Sequence, residues 1–206
     1  MTIEFRETTL ADVPAVMKII NEAKRLLASA DSPQWQNGYP NEETIRQDIE
    51  KKWSYVLVVD GIIAGTLALQ KTPDKNYQEI FEGSWEKADA PYTTIHRIAL
   101  ADAFRGQKLA YRLVEYAEAE TKALGMAQVR VDTHKKNTSM QRIMAHCGFE
   151  LRGIVYVDDE IDNERFGVSK ITLVKEAVVL LLLLIPSIMT LFFRIVNEEY
   201  YMAKLQ

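Results

Sequence analysis

The sequence predicts an α/β domain: a mixed, mostly antiparallel central sheet with helices on its flanks. Three observations predict it. Asp60-Gly61 stands between two apolar runs, the signature of a tight hairpin that joins antiparallel strands. A strand run at 92–100, a helical repeat and an alternating run at 128–133 follow one another. Such a strand–helix–strand crossover sets its two strands parallel. Elsewhere the apolar spacing switches between the strand and the helix period.

The elements come in the order β-α-α-β-β-β-α-β-α-β-β. Ile3 and Phe5 alternate with Glu4 and Arg6 in a short opening strand. Thr8 or Thr9 caps a helix in which Val13, Val16, Met17, Ile20 and Leu27 recur at helical spacing. Residues 29–41 hold two prolines and a glycine and read as a loop, after which Asn41 caps a helix with Glu42 and Glu43 in its first turn. The hairpin strands lie at 55–59 and 62–69, and a long loop rich in aromatics and acids fills 71–91. Leu109, Leu113, Tyr116, Ala117 and Leu124 mark a long helix that Gly125 closes. Val129, Val131 and Thr133 share one face of the next strand. A short helix from Asn137 to Cys147 presents Met140, Ile143, Met144 and Cys147, and two strands at 149–157 and 166–174 finish the sheet.

Composition narrows the function. The 206 residues are 48% hydrophobic and 26% charged, enough apolar material for a real core. The net charge of −4, with scattered cations, argues against a nucleic-acid partner. Cys147 is the single cysteine, so no internal disulfide forms and a reducing compartment fits. Residues 1–6 lack the pattern of a secretory signal, and the expected location is cytoplasmic. Three histidines and one cysteine at these spacings form no metal motif.

Chemistry concentrates in residues 95–110, where a strand runs into a short turn that opens the long helix. Free backbone amides and the positive helix end then face one concavity, which suits a phosphate. Arg105, Lys108 and Arg112 add cations, and between residues 101 and 146 Lys and Arg outnumber Asp and Glu in an otherwise acidic chain.

The run Arg105-Gly106-Gln107-Lys108-Leu109-Ala110 resembles the Arg/Gln-x-x-Gly-x-Gly/Ala pyrophosphate loop of the GNAT acetyltransferase superfamily. His134-Lys-Lys-Asn137, Met140-Gln-Arg-Ile143 and Gly148-Phe149 resemble that family's next strand, helix and closing Gly-Phe. The resemblance covers residues 3 to about 174, and it implies acetyl transfer from acetyl-CoA to the amine of a small molecule or peptide, by direct attack in a ternary complex. It implies a pantetheine arm along the backbone of Ile98, Ala99 and Leu100, a pyrophosphate on residues 105–110, and Asn137 and Met140 on the far side of a splayed strand pair. His96, mid-strand, and His134, at the end of the following strand, are candidate bases for the amine. Trp35, Tyr39, Trp85 and Tyr92 are the candidate aromatic wall of the acceptor site, where acids among aromatics suit a cation. His146 and Cys147 read as packing or surface residues.

Two positions depart from the family pattern. Lys108 stands where the middle loop glycine is expected. Met144 occupies the place, seven residues after Asn137, where the family often has a tyrosine that protonates the leaving thiolate. Both favour a rival reading, a catalytically silent acyl-CoA-binding sensor or regulatory module.

Residues 175–206 form a hydrophobic tail behind the catalytic body of residues 1–174. Within it, residues 177–193 carry no charge, close to the length that spans a bilayer. Lys170 and Lys175 precede them, as in a segment anchored from the cytoplasm. The tail is expected either to associate with a membrane or to pack on protein, as in a homodimer interface.

Overall fold

The computed structural model describes residues 1–157 and 163–172, and the tail at 177–193 lies outside the described residues. The chain divides into two units, Met1–Thr172 and Leu173–Gln206. In the first, seven strands form one sheet: β1 Ile3–Glu7, β2 Ser54–Val59, β3 Ile62–Gln70, β4 Tyr92–Leu100, β5 Gln128–Thr133, β6 Glu150–Tyr156 and β7 Glu164–Ile171, in the spatial order β1-β2-β3-β4-β5-β7-β6. Every pairing is antiparallel except that of β4 with β5. The helices are α1 Val13–Ser29, α2 Glu42–Glu50, α3 Leu109–Ala123 and α4 Thr138–His146. This is the mixed, mostly antiparallel sheet with flanking helices that the sequence predicts. Among the described residues no helix is long and apolar enough to cross a membrane.

Local chemistry accounts for the element ends. Asp60 and Gly61 both take positive φ, as a two-residue hairpin turn requires. Asn41 caps α2 by accepting from the Thr44 amide at 2.9 Å, and Asn137 caps α4 by accepting from the Met140 amide at 3.2 Å. Gly125, at φ 69°, follows the end of α3.

The two larger of three apolar clusters among the described residues cover the sheet. Leu57, Leu67, Ile95, Leu113, Val129, Met144 and Phe149 pack beneath α3 and α4. Val16, Ile20, Ile45, Val56 and Val58 pack beneath α1 and α2. The β5 strand departs from simple alternation: Arg130 is buried as fully as Val129 and Val131. Its guanidinium lies over the rings of Trp85 and Tyr92, 4.3 and 3.8 Å from their centroids, and donates to the carbonyls of Lys87 and Ala88. The long loop thus covers the face that the sequence leaves polar.

Two irregularities open the sheet. β4 pairs with β5 only through Tyr92–Thr94, opposite Gln128–Arg130, so among the described residues the remaining length of β4 has no partner on that side. On its other side β4 carries a bulge: Ala99 pairs with Thr66 and His96 with Ala68, leaving two β4 residues opposite one of β3. Arg97, in the bulge, has φ 50°.

Candidate active site

A cavity of about 230 Å³ fills the gap between the splayed strands. Ile95, His96, Arg97 and Ile98 line it from β4, Val131, Asp132 and Thr133 from β5, and Asn137, Met140 and Ile143 from the α4 side. Trp35 and Tyr39 close it from the loop after α1.

Its polar side chains come in interlocked groups. Arg97 is held by Asp48 of α2, and its Nη1 donates to the Tyr39 hydroxyl at 2.6 Å. Burial pushes the Tyr39 phenol up, against the opposing pull of Arg97, so it keeps its proton at neutral pH. Asp132 accepts from the Tyr77 hydroxyl at 2.7 Å, with Arg165 Nε at 4.0 Å. Burial, with Asp132 close by, drives the Tyr77 phenol well above its ordinary range. His96 Nε2 lies 2.8 Å from Asp74 Oδ2. Burial pulls the Asp74 carboxyl up, but the hydrogen bond and charge of His96 and the Asn76 amide outweigh it, and the group titrates below its usual range.

At one end of the gap lies the turn before α3. It is anchored from behind: buried Glu22 of α1 accepts from the Asp102 amide at 2.7 Å, and the Ala101 amide donates to the Ala64 carbonyl. Gly106 has φ 76° and Lys108 φ 61°, two left-handed residues on either side of Gln107 in the tight turn before α3. Among the described residues, the amides from Gly106 to Ala110 have no protein acceptor. Gly106, Gln107 and Lys108 are exposed, and a Cβ added at Gly106 would meet nothing within 4 Å. Arg105 is oriented by an ion pair with Asp102 at 2.7 Å. This cradle fits an anionic group of phosphate size at a helix N-terminus.

The remaining sequence candidates fall into place as follows. Ala99 and Leu100 pair with Thr66 and Gly65 through one edge of β4, while their other edge faces the gap. Trp85 and Tyr92 do not line the cavity, because their faces are taken by Arg130 and Tyr77. His134 is fully buried, and its Nδ1 accepts from the Lys136 amide at 3.1 Å, a place in the turn before α4 rather than in the cavity. Met144 is buried in the core under α4 and also stays out of the cavity. Sequence reasoning missed Asp48, Asp74, Arg97, Asp132 and Arg165. Their signal is charged residues that an ordinary surface reading passes over.

The sequence profile described as the Acetyltransferase (GNAT) family matches residues 20–149. The chain belongs to the GNAT acetyltransferase family. A GNAT-family acetyltransferase from Streptococcus agalactiae 2603 is similar at 31% identity and a TM-score of 0.75, over 82% of this chain and 95% of that one. The protein yncA from Salmonella typhimurium, solved with its cofactor acetyl-CoA, shares the fold at 14% identity and a TM-score of 0.60, over 84% of this chain and 95% of that one. Another GNAT-family structure, from Listeria monocytogenes 4b F2365, aligns at 20% identity and a TM-score of 0.64, over 82% and 94%. Among curated protein sequences none matches. As a member of the GNAT acetyltransferase family the chain is an acyltransferase by family.

Proposed function

We propose that this GNAT protein transfers an acetyl group from acetyl-CoA to a primary amine of a small molecule or peptide, by direct attack in a ternary complex. The observation that carries the reading is the pairing of a cavity between splayed strands with a turn whose amides have no protein acceptor among the described residues. The amides of residues 106–110, with Arg105 and Lys108, would hold the diphosphate of the cofactor. Asn137 and Met140 would flank its arm across the gap from Ile98, Ala99 and Leu100.

Acetyl-CoA supplies the acetyl group already activated as a thioester. The chain's own residues supply the rest. An amine attacks only when neutral, so a base or a dry pocket must take its proton, and His96 is the cavity's imidazole. The backbone at the Arg97 bulge, turned away from the β3 ladder, offers amide donors where negative charge develops on the acyl oxygen. Trp35 and Tyr39 stand where they would pack against the acceptor.

A silent acyl-CoA-binding module is the second reading, and the burial of Met144 favours it: the side chain at that position neither reaches the cavity nor carries a proton. Thiol release from acetyl-CoA across a panel of primary amines separates the two. Turnover with any amine supports the transferase. Tight acetyl-CoA binding without turnover across the panel supports the silent module.

A further inference from the structure

We propose that Asp74 is a positioning residue, which grips His96 through Nε2 so that Nδ1 takes the proton of the attacking amine. This rests on the acetyl-transfer reading. The two residues are 22 apart in sequence and meet behind the cavity lining that His96 forms, with Nε2 and Oδ2 separated by 2.8 Å. The side chains are 17% and 8% exposed, so water competes little for the contact.

Asp74 is itself held in place. Its Oδ1 accepts from the Asn76 amide at 2.9 Å, and its own amide donates to the Tyr92 hydroxyl at 3.0 Å. The carboxyl titrates below its usual range, so at neutral pH it is ionised and can only accept. The proton in the contact therefore sits on Nε2, which leaves the lone pair on Nδ1. Among the described residues Nδ1 has no protein partner, and the ring lines the cavity. A base oriented by a third group is the arrangement that general-base catalysis requires.

The neighbouring charges are already committed. Tyr77 packs its ring near His96, with centroids 6.3 Å apart, but its hydroxyl goes to Asp132. Arg97 is taken by Asp48 and Tyr39, Tyr92 by the Asp74 amide, and Asp132 also faces Arg165 of β7. Asp132 already accepts from the Tyr77 hydroxyl and does so beside Arg165, which leaves the imidazole as the cavity group with a lone pair to offer. In the step proposed, the amine lone pair forms the N–C bond as the amine proton passes to Nδ1. The C–S bond breaks with its electron pair on sulfur, and the proton on the imidazolium restores the thiol. One proton moves from nitrogen to sulfur overall.

The test uses the full chain labelled with 15N-histidine. In the wild type the His96 imidazole is expected as the Nε2–H tautomer. In Asp74→Asn the neutral amide no longer demands a donor, and mixed tautomers are expected. With any accepted amine, D74N should lower kcat about a hundredfold with KM for acetyl-CoA unchanged. The acid limb of its rate profile should move, and D74N combined with His96→Gln should be no slower than H96Q alone. An unchanged tautomer in D74N, or losses that multiply in the double variant, overturns the pair. Should D74N fail to fold, the wild-type spectrum decides: an Nε2–H tautomer at His96 supports the pair, and an Nδ1–H tautomer overturns it. Absence of wild-type turnover with every amine defeats the acetyl-transfer reading and the base role with it. Turnover that D74N leaves unaltered defeats the pair alone.

Discussion

The guanidinium of Arg97 is gripped by both carboxylate oxygens of Asp48, Nε to Oδ2 at 2.6 Å and Nη2 to Oδ1 at 2.8 Å. Their side chains are 9% and 6% exposed. The contact ties α2 to the bulge of β4, where Arg97 holds a left-handed backbone next to the cavity.

Removing one partner of a buried pair strands the other. Asp48→Ala is therefore expected to cost about 3–5 kcal/mol in urea unfolding. Replacing both, Asp48→Leu with Arg97→Met, should recover most of that loss, because the residual charge is gone. If the double variant is as unstable as D48A, the pair is not what holds the bulge.

Asn137 has two tasks. It caps α4 through the Met140 amide and reaches Gln34 Oε1 across the cavity rim at 3.2 Å. The sequence alone suggests that Asn137→Ala weakens cofactor binding more than folding. The cap adds an expected loss of about 1 kcal/mol. Asn137→Ser, which still caps, should regain the stability but not the acetyl-CoA affinity, as calorimetry on both variants would read.

Lys108 stands where the family pattern has glycine, and its φ of 61° is the reason glycine is suited there. A side chain in this region costs about 1 kcal/mol. Lys108→Gly should fold at least as stably as the parent, whereas Lys108→Val should lose stability on thermal unfolding. A K108V protein as stable as K108G would contradict the backbone geometry.

Arg6 holds Asp12 bidentately at 2.7 and 2.9 Å, and this hydrogen bond, reinforced by the Thr9 amide and hydroxyl, depresses the Asp12 carboxyl far below its ordinary range. Asp74 is depressed too. A carboxyl lowered in the folded state contributes its stability in full above the unfolded pKa of about 3.9. That contribution is lost as the pH falls below this value toward the folded pKa. Unfolding free energy should therefore drop steeply below about pH 4, and less steeply in Asp12→Asn. Equal slopes for the two proteins would remove Asp12 from the account.

Much of the frame was legible in the sequence because it rests on local rules. The Asp60-Gly61 turn, the β4 and β5 limits, the Asn41 cap and the Gly125 stop each depend on a few adjacent residues. The bulge at Arg97 was not legible, since two residues facing one is a property of the β3–β4 register. Asp48 and Asp74 were hidden for the same reason: their partners arrive from residues 49 and 22 positions away. Trp85 and Tyr92 read as candidates for the acceptor wall because the sequence does not show that the Arg130 guanidinium lies over both rings.

The most direct test follows the amide signals of Gly106 to Ala110 by NMR as acetyl-CoA is added. The account predicts that these amides shift together and that their exchange with solvent slows at saturation, as donors newly engaged by a diphosphate must. Saturation of binding with those signals unmoved would contradict it.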